Sequence, residues 1–96
     1  MNGKEELEEA IQDYELPAIQ AADIRFDDGD SFHLSENHTD EELQRFWRFL
    51  DRDYDNGYGL QELFGIIVFN DGLVLKRAEY DGSEWWTLHT PITIQR

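Results

Sequence analysis

The chain has no cysteine, few basic residues and no long apolar run. Without cysteine it can form neither disulfides nor thiolate metal sites, and it has no cysteine nucleophile. No apolar run approaches the about 20 residues that span a bilayer. The opening MNGKEELEEA also lacks the apolar core of a signal peptide. These absences predict a soluble protein of the cytoplasm that makes no contact with membranes.

Acidic charge dominates what is present. There are 22 Asp and Glu against 8 Lys and Arg, a formal net charge of −14 on 96 residues. Residues 1–60 hold 17 of these acids and 5 of the bases. Such a charge repels phosphate and disfavours direct binding to nucleic acid or to an anionic membrane. It suits a basic protein partner, and the alternative is acidity that serves solubility alone.

The length and composition predict a single domain over residues 1–96, with a modest hydrophobic core. Hydrophobic residues make up 40% of the chain and include three Trp, four Tyr and six Phe. This content is too high for a disordered acidic tail. We therefore expect a folded protein.

Two helices are predicted from apolar residues at helical spacing. The first lies in residues 4–16, and Pro17 ends it near Glu15 because the residue before a proline avoids helical geometry. The second begins at a capping box formed by Thr39 and Glu42. Its apolar spacing continues as far as Tyr54.

A flank of the second helix carries three arginines, Arg45, Arg48 and Arg52. Glu41 precedes Arg45 by four residues, in the order that favours an ion pair on a helix. We expect these arginines to pair within the protein rather than to bind phosphate.

Five runs with β-strand patterns complete the chain, near residues 22–27, 31–35, 65–70, 73–80 and 84–90. Three Asp-Gly pairs separate neighbouring runs and predict tight hairpin turns. The order α-β-β-α-β-β-β predicts an α+β fold, with two helices packed on a small antiparallel sheet.

The stretch DRDYDNGYGLQE, residues 51–62, has the carboxylate spacing of an EF-hand calcium loop. Its glycine comes one place late, at Gly57, and the residues after Glu62 allow about one helical turn before a β pattern begins. We expect an acidic connection after the second helix, with Tyr54 and Tyr58 partly exposed, and no metal site. An atypical calcium-binding module is the alternative.

No motif for catalysis is present. His33, His38 and His89 fall on a hairpin, a loop and a strand, without the spacing of a metal or nucleophile motif. There is no glycine-rich phosphate loop and no serine elbow. We expect a protein that is not an enzyme and that uses no cofactor.

The adjacent Trp85 and Trp86 must face opposite sides of their strand. Trp86 shares its side with Leu88 and is predicted to lie in the core. Trp85 shares its side with Thr87 and His89 and is predicted to face outward, where tryptophan is enriched among binding hot spots. The alternative is that the first helix or a dimer partner covers it.

Three resemblances bear on function. YDNGYGLQELFGIIVFNDGLVLKRAEYDGSEWW, residues 54–86, resembles a segment of small proteins of phages and bacterial mobile elements. IQDYELPAI, residues 11–19, is similar to a short stretch of the ArdA antirestriction proteins, which mimic DNA. A small, acidic, cysteine-free chain also resembles many anti-CRISPR proteins. These resemblances imply a viral or mobile-element protein that counters defence systems inside the bacterial host cell.

The expected function is therefore inhibition of a CRISPR effector or a restriction enzyme by a DNA-mimicking acidic surface. Carboxylates on a rigid fold can form charge-assisted pairs with the Lys and Arg rows that hold DNA phosphates. The predicted partner-binding residues are Asp27, Asp28 and Asp30 at the first hairpin; Asp51, Asp53 and Asp55 after the second helix; and Tyr54, Tyr58 and Trp85 as apolar anchors. The alternative is a non-enzymatic interaction or regulatory module, and the sequence leaves monomer and dimer open.

Overall fold

The computed structural model describes residues 2–54, 61–80 and 83–90. Within them the chain forms two helices and one antiparallel sheet of five strands, in the order α-β-β-α-β-β-β. The elements are α1 (Gly3–Asp13), β1 (Ile19–Phe26), β2 (Ser31–Leu34), α2 (Asp40–Leu50), β3 (Leu63–Phe69), β4 (Val74–Tyr80) and β5 (Ser83–His89). The predicted α+β class and element order are confirmed.

The strands lie side by side in the order β2-β1-β3-β4-β5. Consecutive hairpins join β1 to β2 and β3 to β4, while α2 lies in the connection that returns the chain from β2 to the far side of β1. The edge strands of the described sheet are therefore β2 and β5.

Helix α1 ends two residues before the predicted end near Glu15. Asn2 caps its start, because the Asn2 side-chain oxygen accepts a hydrogen bond from the Glu5 N–H at 3.1 Å. Its end comes at Asp13, and Glu15 then takes a left-handed φ of 53°. The Leu16 N–H returns to the Ile11 carbonyl at 2.9 Å. Carbonyl groups in the last turn of the helix thus accept hydrogen bonds from the residues that follow it, before the chain reaches Pro17.

Helix α2 begins at the predicted capping box, and the aspartates predicted to follow it lie beyond its end. The Thr39 hydroxyl accepts from the Glu42 N–H at 3.1 Å, and the Glu42 carboxylate accepts from the Thr39 N–H at 3.0 Å. The helix stops at Leu50, so Tyr54 lies beyond it. The chain is diverted there because the Gly3 N–H donates to the Arg52 carbonyl at 3.0 Å.

Gly3 permits this meeting of the start of α1 with the end of α2. A Cβ atom at Gly3 would lie 2.8 Å from the Leu50 carbonyl oxygen, which is closer than such atoms pack. Asn2 and Asp53 form an isolated antiparallel bridge beside it. Backbone contacts therefore hold the start of α1 against the end of α2, and any side chain at residue 3 would obstruct them.

Two of the three Asp-Gly pairs form hairpin turns of the same kind. Gly29 and Gly72 have φ values of 100° and 88°, the left-handed geometry that glycine adopts readily. In each turn the preceding aspartate accepts a backbone hydrogen bond, Asp28 from Asp30 and Asp71 from Leu73. These are three-residue loops with a bulge rather than two-residue loops. The third pair, residues 81–82, lies outside the described residues.

Both helices cover the same face of the sheet. The buried core combines residues of each helix and each strand: Leu7, Ile19, Ala22, Ile24, Phe26, Leu34, Phe46, Leu50, Tyr54, Leu63, Ile67, Phe69, Leu75 and Trp86. Trp86 lies in this core, as its strand parity predicts. Neither described helix is long and apolar enough to cross a membrane.

The capping box generates a pH-dependent prediction. The backbone hydrogen bond from Thr39 is the main cause that holds the pKa of Glu42 below its ordinary value. Because the pKa of Glu42 is lower in the folded protein, its carboxylate stabilises the fold at pH values above the ordinary pKa of glutamate. This contribution is lost as the pH falls through the lowered pKa.

We therefore expect Glu42→Ala to lower the Tm at neutral pH and to lower it less in acid, where the wild-type carboxylate is protonated. Thermal unfolding followed by circular dichroism checks this across the acidic range. Glu9→Ala, which removes an exposed acid from the middle of α1, is the matched control. An equal loss of Tm at both pH values would contradict the capping role.

Candidate functional site

The first predicted cluster lies at the β1–β2 turn. Asp27, Asp28 and Asp30 are all exposed there. The Asp30 N–H donates to Asp28 Oδ1 at 2.9 Å, and the Asp27 N–H donates to the Glu62 carbonyl at 2.8 Å. The turn is therefore held by its own carboxylates and by the segment that leads into β3.

The second predicted cluster follows α2. Asp51 and Asp53 are exposed, and Asp51 is the C-cap residue of the helix. Asn2 Nδ2 donates to Asp51 Oδ1 at 2.9 Å. Asp55 and Tyr58, which also belong to the prediction, lie outside the described residues.

Arg52 brings the two clusters together. Its guanidinium nitrogens lie 3.2 Å from Asp28 Oδ2 and 3.3 Å from Asp30 Oδ2. The same guanidinium stacks over the rings of Phe26 and Phe49, with centroid distances of 4.1 and 5.0 Å. Stacking on two rings fixes the arginine, and the arginine fixes the hairpin against the end of α2.

The result is one shallow cleft of about 210 Å³, here called the acidic cleft. It is lined by Phe26, Asp27, Asp28, Arg52, Asp53, Tyr54 and Glu62. Four carboxylates and one arginine make its charge negative. Glu62 was not among the predicted binding residues, although it occupies the last carboxylate position of the calcium-like spacing. Asp51 lies elsewhere, in the groove between the helices with Lys4 and Glu8.

The prediction of internal ion pairing holds for two of the three arginines on the α2 flank. Arg45 Nη2 lies 2.8 Å from Glu41 Oε1, and this hydrogen bond raises the pKa of Arg45. Arg52 pairs with the hairpin. Arg48 faces the groove that Asp51 lines, and it forms no ion pair within the described part of the chain.

The prediction that Tyr54 is a partly exposed anchor is wrong. Its side chain is buried, with 7% of the residue exposed. The Tyr54 hydroxyl donates to the Glu6 carboxylate and accepts from Arg77 Nη2. Tyr54 therefore fixes the chain after α2 to α1 and the sheet, and its ring forms the inner wall of the acidic cleft.

Arg77 and Glu84 form a buried ion pair behind that wall. The Arg77 side chain is 1% exposed, and its Nε and Nη2 both lie 3.2 Å from Glu84 Oε1. Arg77 Nη1 also lies 2.9 Å from Glu6 Oε1. We call Glu6, Tyr54, Arg77 and Glu84 the buried network.

Glu84 connects this network to the acidic cleft. Its two carboxylate oxygens accept from the backbone N–H groups of Glu62, at 2.7 Å, and Leu63, at 3.1 Å. The backbone of Glu62 is thereby fixed at the point where β3 begins. The position of the Glu62 side chain in the cleft thus depends on a carboxylate that is itself buried.

Trp85 is exposed as predicted, and it lies apart from the acidic cleft. It is 43% exposed. It points away from the sheet face on which Trp86 and the helices pack. Neither α1 nor α2 covers it. Trp85 therefore does not form one surface with the aspartates of the acidic cleft.

The stretch resembling a calcium loop is followed by β3 rather than by a second helix. Within the described residues no three His, Asp or Glu side chains are arranged to hold a metal ion. His33 Nδ1 contacts Asp23 Oδ1 and His38 Nδ1 contacts the Ser35 carbonyl, both at 2.6 Å. These two histidines make local contacts at the surface.

Comparisons of the chain with models of protein families, with curated proteins and with solved structures gave no significant match. The proposals below therefore rest on the charges, contacts and exposure of this chain's own residues.

The buried network yields a stability prediction. Removing one partner of a buried ion pair leaves the other charge uncompensated, which typically costs about 3–5 kcal/mol. We expect Glu84→Ala to lower the free energy of unfolding by about 3 kcal/mol, the lower end of that range, because it leaves two backbone donors without their acceptor and Arg77 with Glu6 as its ion-pair partner. Urea unfolding at neutral pH measures the loss.

Tyr54→Phe is the matched comparison, because it removes one hydroxyl from the same network and leaves both charges in place. Its cost should be smaller, about 1 kcal/mol for one lost hydrogen bond. Equal and small losses in the two variants would contradict the role assigned to Glu84.

Proposed function

We propose that this protein is a counter-defence inhibitor that acts in the bacterial cytoplasm. The surface around its acidic cleft occupies the basic nucleic-acid-binding surface of a defence complex, such as a CRISPR effector or a restriction enzyme. The observation that supports this most directly is the convergence of exposed carboxylates from the β1–β2 turn and from the end of α2.

Fixed geometry is what makes those carboxylates suitable for mimicry. Arg52 and the turn hydrogen bonds hold Asp28, and the bridge to Asn2 holds Asp53. A flexible acidic tail would lose conformational entropy on binding, whereas a preorganised set loses little. Rigid carboxylates can therefore meet the arginines and lysines of a DNA channel as charge-assisted hydrogen-bond acceptors.

Electrostatics supports the same choice of partner. The net charge of −14 exceeds the magnitude of roughly 2–8 that solubility asks of a small domain. This net charge also raises the rate of encounter with a basic channel through long-range attraction. The proposed mechanism is competition: the protein occupies residues that DNA phosphates would otherwise contact.

The test is competition binding with a purified CRISPR effector or restriction enzyme and a fluorescent DNA duplex. We expect the wild-type chain to displace the duplex, and its own affinity to fall as salt rises. The triple variant Asp27→Asn, Asp28→Asn and Asp53→Asn should lose tenfold or more in affinity, since each charge-assisted hydrogen bond contributes about 1.5–3 kcal/mol.

The matched control removes three exposed acids from the middle of α1, its last residue and the turn after it, through Glu9→Gln, Asp13→Asn and Glu15→Gln. Both triple variants have a net charge of −11, because three charges are removed from −14. The control should retain affinity if the acidic cleft makes the contact. Equal losses of affinity in the two variants would mean that net charge alone causes the effect. Unchanged affinity in the cleft variant would refute the proposed site.

A second candidate function is a protein-interaction or regulatory module that binds through an apolar surface. The observation in its favour is the exposure of Trp85 and Ile66 on the sheet face away from the helices. Partner binding through that face would be insensitive to salt and would survive the triple substitution in the cleft. Salt titration of the partner complex therefore separates the two functions.

A further inference from the structure

The sheet face away from the helices has an apolar centre. We call it the open face. Alternation along the strands places on it Phe64, Ile66, Val68, Val74, Ala78 and Trp85. Ile66 is 37% exposed and Trp85 43% exposed, so the helices leave this centre accessible to solvent. The guanidinium of Arg25 stacks over Phe64 at 4.2 Å.

The charge of the open face differs from that of the rest of the protein. Its strand positions carry two bases, Arg25 and Lys76, and one acid, Asp23. The sum is +1 with the histidines neutral, in a chain whose net charge is −14. The acids are therefore concentrated on the helices, the turns and the acidic cleft. Among the described strand residues, the open face carries a single carboxylate, Asp23, so two copies of this chain can meet there with little repulsion between acids.

We propose that two copies of this chain associate through their open faces to form a symmetric dimer. The dimensions fit a modest interface. The five strands are four to eight residues long and about 4.8 Å apart, so they cover roughly 520 Å², or about 1,050 Å² from two copies. That area lies at the lower limit of specific protein interfaces, so a dimer of micromolar affinity is expected.

The register of the strands makes this face complementary to itself. One row across the sheet reads His33–Asp23–Ile66–Lys76–Thr87. Asp23 and Lys76 flank Ile66 on the two sides of β3. A two-fold axis parallel to β3 exchanges those sides, which sets Ile66 against its own copy and Asp23 against Lys76 of the second copy.

The neighbouring rows agree with the same axis. Phe64 and Val68 also lie on β3, so each meets its own copy along the centre. The axis thus gives an apolar strip with one ion pair on each side, which is the self-complementary pattern of a two-fold interface. A partner of different sequence would have to supply both the strip and the opposite charges.

Salt should strengthen this dimer. The carboxylates of the two copies repel one another across the interface, and salt screens that repulsion. Screening does not weaken the apolar strip, and the two exposed ion pairs contribute too little for their screening to offset the relieved repulsion between two chains of charge −14. The dimer and the proposed contact with a basic channel therefore have opposite salt dependences, and the dimer can be tested without any partner protein.

The experiment is sedimentation equilibrium of the full chain over a range of concentrations, at low and at high salt. We expect a monomer–dimer equilibrium in the micromolar range that shifts toward dimer at high salt. Ile66→Lys should abolish the dimer, because it sets two like charges against each other at the axis. Tyr14→Lys, at an exposed aromatic residue at the end of α1, is the matched control and should leave the equilibrium unchanged.

Charge exchange tests the symmetry itself. Asp23→Lys alone or Lys76→Asp alone should weaken the dimer tenfold or more, because each sets like charges opposite one another. The double variant D23K/K76D should restore much of the loss, which a damaged fold would not do. Circular dichroism verifies that each variant is folded.

A chain that remains monomeric across the concentration range at high salt would overturn the proposal. So would a dimer that ignores Ile66→Lys, or one whose single charge variants are not rescued by the exchange. Failure of the DNA competition experiment with the dimer intact would refute the inhibitor function alone.

Discussion

The buried ion pair between Arg77 and Glu84 is the constraint on which the arrangement of the acidic cleft depends. Burying two charges is costly unless their hydrogen-bonding capacity is filled. Here Glu84 accepts from Arg77 and from two backbone N–H groups, while Arg77 also contacts Glu6 and Tyr54. These partners come from distant parts of the chain, so the contacts form together only when α1, the segment after α2 and three strands are all in place.

That requirement links folding to the surface where we propose binding. The same carboxylate that neutralises Arg77 fixes the Glu62 backbone, and the Glu62 carbonyl in turn accepts from the Asp27 N–H at the β1–β2 turn. A continuous series of hydrogen bonds therefore runs from the core to the exposed aspartates. These hydrogen bonds between protein groups oppose the mutual repulsion of the aspartates. A chain of this acidity can therefore hold several carboxylates close together.

Local features of the fold could be predicted from sequence, and nonlocal ones could not. The capping box, the Asp-Gly turns and the opposite orientations of the two tryptophans are each encoded within a few residues. Tyr54 was predicted to be partly exposed because it follows α2 in an acidic connection, whereas its burial comes from Glu6 and Arg77, which are distant in the sequence. Glu84 shares strand parity with Trp86, which marks it as inward-facing, but its partner Arg77 follows only from the register of β4 and β5.

The two faces of the sheet differ in what covers them. One face is covered by the helices, and the acidic cleft forms where that layer meets the β1–β2 turn. The other face has an apolar centre and little charge, and in the proposed dimer it is covered by its own copy. Because the cleft residues lie on the helix side, association through the open face leaves both clefts accessible. Two clefts in one assembly would let each dimer engage two basic surfaces, and the effective concentration of the second contact would raise the avidity wherever both surfaces are within reach.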